Sequence, residues 1–328
     1  LLVFLFYFSK IPVYFFLSKK GLVSYIVIKP FSQEAKVQMQ NEVNQMNKII
    51  LSADSTCDFD DYLQRHYKVH ISPLHIILAD KQYRDGVDIS PDDIFRAYRE
   101  HNILPKTVAI NPEEYCDYFR KWTDQGYDVI HVNLGSGISS SYTNCCLAAQ
   151  ELKNVYPIDS YNLSSGMGLL VLEAAERISQ GLSAAEIQKE INNLRSKIQA
   201  SFILDTLTFL HAGGRCSSLA ALSANVLNIK PCIEVINSSG NMRVGKKYRG
   251  ALSKVLKQYT LDKIKDRTDL SLDKIFIVHT GISPDLISMV RSTILEHANF
   301  KEIFIVRAGC TISSHCGPNT LGIMFRTK

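Results

Sequence analysis

The chain has no Cys-x-x-Cys pair and no cysteine at zinc-finger spacing from a histidine. It has no Lys/Arg block and no basic stretch interleaved with aromatics. The first absences exclude a zinc-finger reading of its eight cysteines. Cys57, Cys116, Cys145, Cys146, Cys216, Cys232 and Cys310 read instead as scattered thiols of a reduced, cytoplasmic protein, most of them small core residues. Cys316 stands apart, beside His315 in a Gly-rich stretch. The missing basic blocks exclude nucleic acid as a partner, because a net charge of +5 spread along the chain is only a mild excess. No metal-ligand cluster, internal repeat or low-complexity tract is present, so neither metal nor cofactor is expected.

Three enzyme signatures are also missing. Gly240-x4-Gly245-Lys246-Lys247 imitates a phosphate-binding loop, but Lys247 stands where the motif needs Ser or Thr, and a strand is expected next. Gly166-Met167-Gly168 begins a dinucleotide fingerprint without its third glycine. A nucleophile-elbow Gly-x-Ser-x-Gly does not occur.

What is present fits a globular protein of two domains: 328 residues, 46% of them hydrophobic and 21% charged. Residues 1–45 differ from the rest. Leu1–Phe8 is apolar without an initial methionine, Lys10 and Pro12 interrupt the run, and Lys19 and Lys20 end it. Each piece is shorter than the about 20 apolar residues of a spanning helix. A signal anchor is one reading. The expectation is a non-native or disordered extension, with Met46 as the natural start and no stable membrane anchor.

From Met46 the grammar alternates. Strands are expected at Lys48–Ala53, His70–Leu78 (interrupted by Pro73), Val129–Leu134 and Val155–Asp159. Helix starts are written as Ser90-Pro91-Asp92-Asp93, Asn111-Pro112-Glu113-Glu114, Ser283-Pro284-Asp285 and the capping box Ser183-Ala184-Ala185-Glu186. Alternation over 46–199 predicts an α/β domain with a mostly parallel, doubly wound sheet. Strands at Ser201–Asp205 and Cys232–Asn237, a hairpin partner at Met242–Arg249, and strands at Lys274–Thr280, Glu302–Arg307 and Leu321–Phe325 predict an α+β domain over 200–328.

Hydroxyls gather where ligands bind such sheets. Gly135-Ser136-Gly137-Ile138-Ser139-Ser140-Ser141-Tyr142 follows a strand and precedes a helix, which makes it an anion site or a plain N-cap. Asp54-Ser55-Thr56 and Thr107 are read as two further strand-end positions of the same sheet. Gly213-Gly214-Arg215 places a guanidinium after a tight turn, free to pair an acid or to sit idle on the surface. His315-Cys316-Gly317-Pro318 offers a histidine in a turn, as a hydrogen-bond donor, a base or a structural residue.

Taken in order, Asp54-Ser55-Thr56, Tyr83–Ser90, Gly135–Tyr142, Gly213-Gly214-Arg215, Asn228-Ile229-Lys230-Pro231 and His315-x-Gly-Pro resemble the DegV family from Met46 to the C-terminus. The resemblance implies a protein that holds one long-chain fatty acid in an inter-domain cleft. It also implies that the acid is presented to a separate fatty acid kinase for acyl-phosphate formation, with no catalysis by the binding protein. By matching position, Thr107 and Ser139 fall on carboxylate-binding residues, Arg215 on an arginine near the head group, and His315 on the histidine of the family's His-Thr-Gly-Pro-Gly turn. Arg249 falls on an arginine that works with the kinase. Ser55 and Ser136 complete the expected ligand-binding set, with Cys316 at the position of a carboxylate-binding threonine. The sequence departs from the family at Val108-Ala109-Ile110-Asn111, at Cys316 and at Asn319. A thiol is a weaker donor than a hydroxyl, so fewer head-group contacts are expected. The rival reading is an α/β hydrolase or transferase using Ser139 or Cys316 with His315.

Overall fold

The computed structural model describes residues 3–8, 11–17, 23–26, 48–218 and 229–328. It divides into two compact units, Leu1–Lys48 and Ile49–Lys328. In the first, strands β1 (Val3–Phe8), β2 (Ile11–Leu17) and β3 (Val23–Ile26) pair antiparallel in that order. The polar stretch Gln33–Gln45 and the expected start at Met46 lie outside the described residues, as does Asn228.

The second unit opens with β4 (Ile49–Asp54), α1 (Asp61–His66), β5 (Val69–Ser72), β6 (His75–Leu78), β7 (Lys81–Arg84), α2 (Pro91–His101) and β8 (Lys106–Val108). It continues through α3 (Pro112–Thr123), β9 (Asp128–Asn133), α4 (Ser141–Glu151), β10 (Val155–Asp159), α5 (Ser164–Ser179) and α6 (Ala184–Leu194). Four strands form a parallel sheet in the order β10-β9-β4-β5. From Val129 to Asn133 every residue of β9 is buried, as expected of a parallel strand covered on both faces. The expected helix starts are real at Ser90, Asn111 and Ser183, each a reciprocal capping box, with Pro at the first turn of α2 and α3.

Pro73 does more than interrupt a strand. It separates β5, which stays in the parallel sheet, from β6, which leaves to centre a small antiparallel sheet, β7-β6-β8. A proline has no N–H for the ladder, so the chain changes sheets there.

Next come β11 (Ile198–Ile203), α7 (Thr208–Gly213), β12 (Ile229–Val235), β13 (Met242–Arg249) and α8 (Leu252–Ile264). The chain ends with β14 (Leu270–His279), α9 (Pro284–His297), β15 (Glu302–Arg307), α10 (Cys310–Cys316) and β16 (Leu321–Thr327). Their six strands form a mixed sheet, β13-β12-β11-β16-β14-β15, in which only β14 and β15 run parallel, joined over α9. The β12–β13 hairpin is the one expected from Gly240. One core cluster runs from Leu51 and Val132 of the parallel sheet through Met167 and Leu170 of α5 to Phe202 and Met324 of the mixed sheet. A second packs Tyr259 of α8 and Val290 of α9 against Ile277 and Ile323.

Candidate ligand-binding site

A cavity of about 120 Å³ is lined by Thr107, Ser139, Arg215 and His315 together with Leu74, Leu134, Ile138, Met242, Thr311 and Ile312. Four of the expected site residues therefore meet, although they lie far apart in sequence. Thr107 reaches the cavity by a route different from the expected one. It belongs to β8 and pairs with Ile76 of β6, so it stands in the small antiparallel sheet and not at a strand end of the parallel one. Ser139 comes from the turn before α4, where its Oγ accepts the Ser141 amide at 3.1 Å and shares a hydrogen bond with Ser141 Oγ at 2.9 Å. Ser139 thus braces the turn before α4 and lines the cavity with one side chain, while Ser140 is the N-cap residue and makes no side-chain cap bond.

His315 lies in the last turn of α10, a helix where a turn was expected. The helix stops at Gly317, whose φ of +71° is the left-handed conformation that favours glycine. Its Nε2 and Thr107 Oγ1 are hydrogen-bonded at 2.8 Å. Its Nδ1 is shielded from water and has no partner. Burial, and secondarily the nearby Arg215 guanidinium, push the imidazole pKa down to about 4, so it is neutral at physiological pH. Thr107 Oγ1 can then accept from Nε2–H and direct its own O–H toward an acceptor in the cavity. Arg215 is exposed, and its Nη1 donates to the Gly213 carbonyl at 2.6 Å.

The other expected residues lie elsewhere. Ser55 Oγ donates to Asp85 at 2.9 Å and accepts the Leu74 amide at 3.1 Å, so it supports the wall behind the cavity without lining it. Ser136 is exposed and its amide donates to Asp159 at 3.0 Å. Cys316 is buried and does not line the cavity; burial raises its thiol pKa. Arg249 ends β13, exposed and outside the lining. The rival catalytic reading lacks its pair, since the His315 ring nitrogens bond neither Ser139 nor Cys316. Among the described residues no group of three His, Cys, Asp or Glu is placed to hold a metal.

Two arrangements had no signal in the sequence. Ser52 Oγ, His131 and Asp54 form a serine–histidine–aspartate chain at 2.9 and 3.0 Å, but all three are fully buried inside the parallel sheet. The second holds α10. Asp58 accepts the Gly309 amide at 2.8 Å, and Asp85 accepts those of Cys310 and Thr311 at 2.7 and 3.2 Å. Ser164 Oγ donates to Asp58 at 2.5 Å, and both residues have positive φ, +52° and +56°. Short polar residues tolerate that region best, though at a cost. The helix presenting His315 and Thr311 to the cavity is thus fixed at its start by two buried acids.

Residues 48–328 match the family model described as "Uncharacterised protein, DegV family". A DegV domain-containing protein of Clostridium acetobutylicum is 31% identical over 285 residues, which cover 86% of this chain and 100% of that one. A DegV family protein of Thermus thermophilus, solved for its fatty acid binding, superposes with a TM-score of 0.77 at 27% identity, covering 86% of this chain and 100% of that one. A stearic acid-binding protein of Eubacterium ventriosum superposes with a TM-score of 0.71 at 25% identity, covering 85% and 98%.

Proposed function

Because the chain belongs to the DegV family, we propose that it binds a long-chain fatty acid with the carboxylate among Thr107, Ser139 and Arg215. It then presents that acid to a separate fatty acid kinase for acyl-phosphate formation, and performs no catalysis itself. The observation that carries the binding reading is the neutral His315–Thr107 pair at 2.8 Å, set between an exposed arginine and an apolar interior. A neutral imidazole aligns the threonine hydroxyl without adding charge. Hydrogen bonds to a charged group contribute roughly 1.5–3 kcal/mol each. The tail adds about 0.8 kcal/mol per buried CH₂.

The cavity holds the head group and the first carbons, since its about 120 Å³ is below the ~300 Å³ at the lower end of ligand pockets. A longer tail extends inward by displacing side chains of the core around Leu134 and Ile312. The kinase half of the reading rests on the family resemblance and on Arg249 standing exposed at the end of β13. A cytoplasmic location is supported by the eight cysteines all being free thiols.

Native mass spectrometry of the purified protein tests the binding. A bound long-chain acid, reduced by Thr107→Val, is expected. Protein that neither carries an acid nor takes up oleate or palmitate would rule the reading out. Acyl-phosphate formation on mixing with a fatty acid kinase and ATP tests the second half separately.

A further inference from the structure

The cavity is graded by depth. Arg215 is exposed, and Thr107, Ser139 and His315 are half-buried. Leu74, Leu134, Ile312 and Thr311 are buried, with Thr311 only 2% exposed. The polar groups thus gather at the mouth, beside the half-buried Ile138 and Ala109, and the buried end is apolar apart from Thr311 and its hydroxyl. That hydroxyl has no hydrogen-bond partner. The buried hydroxyls of Ser165 and Ser314 also lack partners, but neither residue lines the cavity. Thr311 is four residues before His315 on α10, so both lie on one face, about 6 Å apart along the axis. The Thr311 amide is tied to the buried Asp85, which fixes it at the inner end.

A buried hydroxyl without a partner costs roughly 1–3 kcal/mol, and a threonine could have been valine there at no loss of shape. With the carboxylate on Thr107, Ser139 and Arg215 at the mouth, Thr311 stands one helical turn away from His315 along α10. We propose that Thr311 makes a second polar contact with the ligand, to an oxygen carried on the acyl chain within its first few carbons. This rests on the fatty-acid reading above and narrows its substrate class to long-chain acids bearing a hydroxyl or oxo group near the carboxylate. The threonine O–H donates to that oxygen, and a ligand hydroxyl can also donate back to Thr311 Oγ1.

The test is competitive displacement of dansyl-labelled undecanoic acid from the full chain. The competitors are hexadecanoic acid and its 2-hydroxy, 3-hydroxy and terminal-hydroxy derivatives. At least one of the first two derivatives is expected to bind about tenfold more tightly than the plain acid, the worth of one hydrogen bond made where none was. The terminal-hydroxy acid should show no such gain. Thr311→Val should abolish the preference, and Thr311→Ser should keep it. Equal affinities for plain and hydroxylated acids in the wild type overturn the proposal. So does a preference that survives in Thr311→Val, or a Thr311→Val loss shared equally by all acids, which would place Thr311 on the carboxylate. Failure of every acid to displace the probe, or of the probe to bind, is a different result and removes the fatty-acid reading itself.

Discussion

The imidazole of His315 rests directly against the backbone of Gly213: a β-carbon at position 213 would stand 2.1 Å from Nδ1 and 2.9 Å from Cε1. Gly213 is the last residue of α7, and the contact closes off the one ring nitrogen that has no partner. The glycine is required by the neighbour's position and not by its own turn, which falls at Gly214 with φ +66°. In a helix, Gly→Ala ordinarily stabilises by up to about 1 kcal/mol. Here the sign should reverse. Gly213→Ala is expected to destabilise by roughly 1–3 kcal/mol through overpacking and to weaken fatty-acid binding by breaking the Thr107–His315 bond. Urea unfolding and ligand titration on the same variant check both.

Thr107 carries the hydroxyl that His315 aligns. Thr107→Val keeps the shape, removes the hydroxyl and leaves His315 Nε2 without its partner. Losing a hydrogen bond to a carboxylate should weaken fatty-acid binding by about tenfold or more. Thr107→Ser should restore most of the loss. A titration showing valine and threonine equal would remove Thr107 from the site.

How far the sequence foretold this arrangement depends on the range of the signal. Helix starts at Ser90, Asn111 and Ser183 were legible because a capping box is a contact between residues three apart. The run Val129–Asn133 was legible because a doubly buried strand is continuously apolar. Thr107 stands on a different sheet from the expected one because a three-residue strand carries too little pattern to be seen, and its partner β6 is defined only by the break at Pro73. α10 is a helix where the sequence suggests a turn, because Thr311-Ile312-Ser313-Ser314 has poor helix propensity. Its start is held instead by Asp58 and Asp85, more than two hundred residues earlier in the chain. No local rule reports such a tertiary cap. The family resemblance found Thr107, Ser139, Arg215 and His315, which do line the cavity. It could not point to Thr311, because that position carried no family landmark.

The Ser52–His131–Asp54 chain has the order of a hydrolase triad, but its place in the sheet dictates a different consequence. Asp54 accepts from Tyr115 Oη at 2.6 Å, from His131 at 3.0 Å and from the Leu134 amide at 2.8 Å. Asp54→Ala would leave three buried groups without an acceptor, so a loss of at least about 3 kcal/mol is expected. Ser52→Ala leaves His131 Nδ1 and Tyr118 Oη without that partner, so it should cost roughly 1–3 kcal/mol and should leave fatty-acid affinity unchanged. Urea unfolding and binding measurements separate the two outcomes. Ester hydrolysis that depended on Ser52 would contradict the structural role.

The acids that hold α10 give the protein a signature in its pH dependence. Burial raises the Asp58 carboxyl pKa from 3.8 to about 8, with Asp85 adding repulsion, against the lowering effect of the Ser164 and Gly309 hydrogen bonds. The thiols of Cys57, Cys310 and Cys316 are the other titratable groups that feel Asp58, and no cation balances it among the described residues. Between pH 4 and 8 the folded state therefore keeps a proton that the unfolded chain has lost. Its contribution is full below about pH 4 and declines as pH rises through 8. His315 works in the opposite direction: its pKa falls from 6.5 to about 4, so its contribution is full above pH 6.5 and is lost as pH falls toward 4. The two slopes oppose each other below pH 6.5, leaving Asp58 alone above it. Unfolding free energy should then drop by about 2 kcal/mol between pH 6.5 and 8 relative to Asp58→Asn, at roughly 1.4 kcal/mol per pH unit. The asparagine keeps the shape of the protonated acid and tolerates the +56° φ. Ser164→Ala, which removes a bond to the ionised form, should move the inflection to higher pH. Urea denaturation at half-unit pH intervals measures all three proteins. Parallel curves for wild type and Asp58→Asn would show that Asp58 is ionised throughout and that α10 is held without its proton.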